Sequence, residues 1–230
     1  MDAATETWAE LARARAAGGE SLVLRRRGGI FEIRCDGWDL MSNRAHHSEQ
    51  ALGRLGCAGL AGAPRVLIGG LGMGYTLRAA LDVLPRAARV TVAEVFAAVA
   101  DWNRGPLAAL AGQPLDDPRV QVCCADVAAL LAGAAYDAIL LDVDNGPEAV
   151  MLAGNAPLYT AEGLHGLGAA LARGGRLAVW SADRSPRFEA GLSACGLAWR
   201  RTEVPARGAP GDPLHTLYLA RVTGRRRPHP

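Results

Sequence analysis

The chain has 230 residues, half of them apolar, and a formal net charge of +2. That length supports one good core with a small appendage, and so slight a charge provides no broad basic field for nucleic acid. Every basic residue is Arg, none is Lys, and no apolar run is long and uninterrupted enough to cross a bilayer.

In chain order, Thr5–Ala17 reads as an amphipathic helix ended by Gly18 and Gly19. It is polar, unlike a secretory leader. The stretch SLVLRRRGGIFEIRCDGWDLM alternates, turns at Gly28–Gly29, alternates again and turns at Asp36–Gly37, which predicts a β-hairpin or a three-stranded meander. HHSEQALGRLGCAGL predicts a short helix leading into the main domain.

From Arg65 the pattern changes to apolar strands alternating with helices. RVLIGG precedes a helix to Pro85, ARVTVAEV a helix through Trp102, and PRVQVCCAD the short segment VAALLAG. YDAILLDVD leads through a long loop to a helix over Ala161–Ala172, and GGRLAVWSA to one over Arg187–Cys195. LAWRRTEVP and LHTLYLARV close the chain as two strands. Apolar strands joined by helical crossovers predict a parallel sheet covered on both faces, here with one antiparallel edge. The expected architecture is α/β: a Rossmann-like seven-stranded sheet over residues 56–223, a small N-terminal helix and β-hairpin domain over 1–55, and a basic tail over 224–230.

The chemistry gathers where strands meet helices. Gly70, Gly72 and Gly74 form a turn that lets backbone approach a ligand closely at a helix N-terminus. Tyr75 and Thr76 stand where a dinucleotide turn places its packing glycine, which argues against NAD or FAD. Glu94 ends the second strand about twenty residues on, the offset at which a carboxylate grips ribose hydroxyls. Asp126 follows the third strand and Asp142 ends the fourth. Open α/β sheets bind ligands beyond the carboxyl ends of their strands, so these groups converge on one crevice suited to a nucleoside cofactor. Asp126 also suits a cap for the helix Val127–Leu131. The five cysteines form no C-x-x-C pair, which predicts free thiols in a reducing cytoplasm and no metal site.

With those residues in place, the chain resembles the spermidine/spermine synthase family of class I S-adenosylmethionine-type transferases. DGWDLMSNRAHHSE, GGLGMGYTLRAA, VAEV, DDPRVQV, YDAILLDVDNGP and LYTAEGLHGLGAALARGGRLAVW carry the resemblance in order. It implies S-adenosylmethionine or its decarboxylated form as cofactor, with Gly70, Gly72, Met73 and Gly74 beside its methionine-like arm. It also implies Glu94 on the ribose, Ala125 and Asp126 at the adenine, and Asp142 as the catalytic carboxylate. Tyr159 and Trp180 stand where the family places pocket walls. A homodimer is a further implication. By their own chemistry, Asp144, two residues past Asp142 on the same strand face, would orient the substrate, Asn145 would supply a donor and an acceptor in the loop, and His46 and His47 would overhang the site.

Several positions depart from the family pattern. Met73 replaces the aspartate that holds the aminopropyl amine, and a thioether cannot accept a charge-assisted hydrogen bond from an ammonium. DVDNGP is two residues shorter than the family loop, His47 takes the place of a tyrosine, and the usual glutamine falls near Leu40 or Met41. These departures predict a methyltransferase acting on a small polar amine. A divergent polyamine aminopropyltransferase, a transferase of the aminocarboxypropyl arm and a non-catalytic nucleoside-binding protein are the alternatives.

Overall fold

The computed structural model describes residues 6–15, 19–150 and 152–222; the basic tail lies outside them. At the front, β1 (Ala9–Arg15), β2 (Ser21–Arg27), β3 (Ile30–Cys35) and β4 (Trp38–Ser42) form an antiparallel sheet in sequential order. Asp36 and Gly37, with φ of 48° and 84°, make the tight turn between β3 and β4. Paired positive φ values match the twist of flanking strands, which is why Asp-Gly serves there. Leu22, Leu24 and Ile33 point inward and join the main apolar cluster, so the front sheet is packed onto the body.

The helix expected over Thr5–Ala17 is not formed in its described part. Ala9–Arg15 is β1, paired antiparallel with β2 from Ala9↔Arg26 to Arg15↔Ser21 with a bulge between Glu10 and Ala12. Residues 5, 16 and 17 lie outside the described ones. The Ala-rich segment has good helix propensity, but propensity is a weak force beside an open strand edge. Trp8 fixes the start of the segment, with the Arg25 and Arg27 guanidiniums 4.2 and 4.8 Å from its ring centre.

The body follows the alternation read in the sequence. α1 (His47–Cys57) leads to β5 (Arg65–Gly69), α2 (Tyr75–Val83), β6 (Arg89–Ala93), α3 (Ala97–Arg104), β7 (Val120–Cys123) and β8 (Tyr136–Leu141). Then come α4 (Ala161–Ala170), β9 (Leu171–Ser181), α5 (Pro186–Ala194), β10 (Leu197–Pro205) and β11 (Leu214–Val222). The seven strands lie in the order β10-β11-β9-β8-β5-β6-β7. β7, β6, β5, β8 and β9 run parallel. The antiparallel strand is β11, one place in from the edge, flanked by β9 and β10; it was expected at the edge itself. One apolar cluster takes side chains from α1, α2 and α3 and the other from α4 and α5, so both faces of the sheet are covered.

Three boundaries differ from the sequence reading. β8 stops at Leu141, so Asp142 and Asp144 do not share a strand face, and Asp144 has φ 56°. α4 stops at Ala170 and β9 begins at once. Val127–Leu130 is a 3-10 turn capped by Asp126, whose Oδ1 accepts the Ala128 N–H at 2.8 Å.

Candidate functional site

The strand order reverses at β5, whose neighbours are β8 on one side and β6 on the other. A crevice opens at that switch point, beyond the carboxyl ends of the strands. The empty space between its walls, open mouth included, is about 560 Å³. Gly70 and Gly72 form its floor, Glu94, Val95 and Phe96 one wall, and Asp142, Val143 and Asp144 the other. Leu40 and Met41 of β4 roof it, with Leu152 and Asn155 from the long loop.

The floor requires glycine. Gly70 has φ 86°, and a Cβ there would lie 2.1 Å from the Asp142 carbonyl oxygen. The backbone is thereby drawn close to both walls: Gly70 N–H donates to the Ala93 carbonyl at 2.8 Å, and Asp142 N–H to the Gly69 carbonyl at 2.8 Å. The Asn103 amide supports the turn from beneath by donating to the Gly72 carbonyl at 2.8 Å. Met41 Sδ lies 3.4 Å from where a Gly72 Cβ would sit. A side chain there would press on the roof.

Glu94 is 6% exposed. Its Oε2 accepts Leu71 N–H and its Oε1 accepts Phe96 N–H, each at 2.9 Å. Burial pushes the carboxyl above its usual range, while amides of Phe96, Leu71, Gly72 and Val95 pull it back. Glu94 therefore ties the glycine turn to the start of α3. Glu94 also lines the crevice.

Asp142 is held differently. Its Oδ2 accepts from Thr76 Oγ1 at 2.6 Å, and the same hydroxyl lies 3.1 Å from the Glu49 main-chain carbonyl. Burial pushes Asp142 up to about 6, with the Thr76 hydrogen bond pulling the other way. Glu49 of α1 is pushed well above the ordinary range by burial and by the neighbouring Asp142. Asp144 accepts Leu152 N–H at 3.2 Å and the Asn155 amide at 2.7 Å, and so folds the long loop over the crevice.

The other expected residues sit behind or beside the crevice. Met73 is buried in the apolar core. A Gly74 Cβ would meet Pro114 at 3.0 Å and Asn103 Oδ1 at 3.2 Å, so this glycine serves packing. Ala125 N–H donates to Cys123 O at 2.9 Å, next to the capping Asp126. The His47 ring lies against Gly208, and the His47 main-chain N–H donates to Ala206 O at 3.1 Å, so this residue meets the loop over 206–212. His46 stacks on Tyr75 with ring centres 4.1 Å apart. Asn145 O accepts Ala182 N–H at 3.0 Å, and Tyr159 donates to Val143 O at 3.0 Å. Trp180 donates to Ser48 Oγ at 3.0 Å, and Ser48 Oγ lies 2.7 Å from His215 Nδ1. Among the described residues no group of three or more His, Cys, Asp or Glu could hold a metal ion.

Glu49, Thr76 and Asn155 escaped the sequence reading. Glu49 stands two residues past His47, but only the docking of α1 on α2 brings it to Asp142. That approach is close: a Cβ on Gly53 of α1 would sit 2.4 Å from the Thr76 carbonyl. Helix-to-helix proximity of this kind leaves no local signal beyond the glycine.

Comparison with solved structures places the fold. A spermidine synthase solved with the transition-state analogue AdoDATO superposes with a TM-score of 0.71 at 16% identity, covering 92% of this chain and 72% of that one. The chain has the spermidine synthase fold. The Thermotoga maritima spermidine synthase gives 0.72 at 17% identity with the same coverages. A probable spermidine synthase from Corynebacterium glutamicum gives 0.62 at 18%, covering 95% of this chain and 81% of that one. No family model and no curated protein sequence matches the chain. Within the spermidine synthase fold, the crevice described above occupies the switch point of the sheet.

Proposed function

We propose that the chain is a transferase that binds a nucleoside sulfonium of the S-adenosylmethionine type and passes a carbon group to an amine. The observation that carries this reading is the lining of the crevice: among the described residues it holds three carboxylates, Glu94, Asp142 and Asp144, and no Arg or His. Such a surface favours cationic ligands and repels phosphates and free carboxylates. The lining fits the cofactor in the bare backbone at Gly70 and Gly72 and in the acceptor carboxylate of Glu94 beside them.

Such a cofactor supplies a carbon activated by its sulfonium. The chain's own residues do the rest. Glu94 accepts the ribose hydroxyls, and Gly70 and Gly72 let the ligand rest on main chain. Leu40, Met41, Val95 and Phe96 exclude water, which strengthens every charge interaction inside. Asp142 takes one proton from the ammonium of the acceptor and so frees the nitrogen lone pair for attack. A carboxyl with a value of about 6 is a far better base near neutrality than one at the ordinary value.

The lining shifts the preferred reaction from the methyl transfer expected from sequence to aminopropyl transfer from decarboxylated S-adenosylmethionine. The carboxylate of the ordinary cofactor would face Glu94, Asp142 and Asp144 with no cationic side chain among the described lining residues. The spermidine synthase fold, one example of which was solved with AdoDATO, supports the same choice. Methyl transfer is the second reading, favoured by one observation: Met73 is apolar and buried, so the turn presents no acid to an aminopropyl ammonium.

Calorimetry with S-adenosylmethionine, its decarboxylated form and methylthioadenosine, followed by by-product analysis with diamines, tests the proposal. We expect the decarboxylated form to bind more tightly than S-adenosylmethionine and to yield methylthioadenosine on turnover. S-adenosylhomocysteine as product would establish methyl transfer instead. Absence of binding by all three would end the reading.

A further inference from the structure

The sheet carries a second hollow, at the other end of its strands from the crevice. Arg176 of β9 is paired with Ala138 near the start of β8, whereas the crevice lies beyond the end of β8 at Leu141. Arg176, Arg200 and Arg221 line this hollow together with Leu55 and Leu219. The strand registers bring the three arginines together. Arg221 of β11 stands opposite Arg176 on one side and opposite Ala198 of β10 on the other, and Arg200 stands opposite Leu219. Residues opposite one another share a face, as do residues two apart along a strand. All three arginines therefore project from the face that α1 covers, where Ala178, Leu217 and Leu219 join its core. Directly opposite Cβ atoms stand about 5 Å apart and diagonal ones about 7–8 Å, within reach of side chains this long.

The opposite face of β10 shows how the chain satisfies an arginine. Arg201 there meets Glu189 at 3.2 Å and Glu203 at 3.7 Å. Among the described residues, no carboxylate lines the hollow, and none of Arg176, Arg200 and Arg221 enters an ion pair. Arg176 is partly buried and anchored, since its Nη1 donates to the Ala58 carbonyl at the end of α1. Burial, and then the Arg221 charge, hold its guanidinium below the ordinary range. Like charges set opposite each other across a strand pair cost stability, so an anion placed between them relieves the fold as well as filling the hollow.

We propose that this hollow is a phosphate-binding site, in which Arg176, Arg200 and Arg221 together hold one phosphoryl group, either as the free ion or as the head of a small phosphomonoester. The planar guanidinium fork matches a tetrahedral oxyanion with paired N–H groups, which an ammonium does not. Three cations exceed the two negative charges of a phosphate, and Leu55 and Leu219 give the hollow an apolar side. The acidic crevice repels the same ligand, so the two sites select opposite charges.

Calorimetry at low ionic strength, where charge attraction is least screened, tests the proposal with inorganic phosphate and glycerol phosphate as probes. We expect binding to the natural protein. The double variant Arg200→Gln, Arg221→Gln should bind about tenfold or more weakly, the worth of a charged hydrogen bond, and Arg200→Gln alone should lose part of that. Arg86→Gln, at an exposed position in the turn before β6, should leave the affinity unchanged. Arg200 and Arg221 are both exposed, so the double variant is expected to fold. Phosphate should raise the melting temperature of the natural protein and leave that of the double variant in place. Tighter binding of glycerol phosphate identifies a phosphomonoester as the ligand, and tighter binding of inorganic phosphate identifies the free ion. Absence of binding by both probes overturns the proposal. So does affinity that survives in the double variant, or that Arg86→Gln weakens to the same extent.

Discussion

The two walls of the crevice carry the same kind of group under opposite conditions. Glu94, beyond β6, has both oxygens engaged by backbone N–H groups. Asp142, beyond β8, has one hydroxyl and a second carboxyl for company. Burial pushes both upward, but only Glu94 has amide dipoles to answer it. The contrast divides the labour of the site: a carboxylate fixed by main chain suits the grip on a ribose, and one left short of partners suits proton transfer.

The sharpest way to break that contrast is to remove the reactive side alone. Asp142→Asn is expected to lower turnover by about 10²–10⁴-fold, the usual worth of a general base, while calorimetry still detects nucleoside binding. The same variant changes stability in a defined direction. Asp142 titrates at about 6 in the folded protein against an ordinary 3.8. The folded state thus holds the extra proton between those values, and stability is fullest below about pH 4 and falls as pH rises through about 6. Asparagine abolishes that fall, so chemical denaturation should show a flatter profile and a more stable protein at pH 7. Normal turnover in the variant would dismiss Asp142 as the base.

Gly70 is the seam between the walls. Gly70→Ala places a methyl at a φ of 86° and 2.1 Å from the Asp142 carbonyl oxygen. We expect a loss of about 3 kcal/mol or more in stability, and loss of ligand binding even where the protein stays folded. Thermal melting and calorimetry on the refolded variant check both. An unaffected melting point would mean that the two walls are not held together through this turn.

What the sequence disclosed follows the same physical lines. The parallel sheet was legible because strands buried on both faces are unbroken apolar runs, as in VLIG of β5 and AILL of β8; the closing antiparallel strands LAWRRTEVP and LHTLYLARV also match β10 and β11 residue for residue. The glycine turn, Glu94 and Asp142 were legible because strand ends are fixed once strands are. Ala9–Arg15 was misread because its pairing with β2 is a tertiary event that overrides an Ala-rich propensity. Asp144 was misplaced because a single left-handed residue ends the alternation of faces. Glu49 joined the site only through helix docking, which leaves no periodicity of its own.

The fixed wall can be probed by changing one atom. Glu94→Gln turns one acceptor oxygen into an NH₂ group facing a backbone N–H, so one buried donor loses its partner. The expected cost is about 1–3 kcal/mol in stability, with weaker nucleoside affinity and no shift in the pH limb assigned to Asp142. That last readout sharpens the comparison, since a shared electrostatic unit would move both. Denaturation and a pH profile of turnover measure the two effects.

The smallest effect belongs to Asp126, which the structure shows as a cap and the family resemblance assigns to the adenine. Oδ1 is engaged by Ala128 N–H at 2.8 Å, while Oδ2 is 4.0 Å from where a Gly154 Cβ would stand, on the side of the long loop. Serine caps a helix about as well as aspartate but reaches less far. Asp126→Ser is therefore expected to leave stability within about 0.5 kcal/mol, yet to lower the affinity for methylthioadenosine by about threefold to tenfold, the worth of one hydrogen bond. An unchanged affinity would reduce Asp126 to its cap and leave Glu94 as the sole carboxylate holding the nucleoside, which would widen the difference between the two walls.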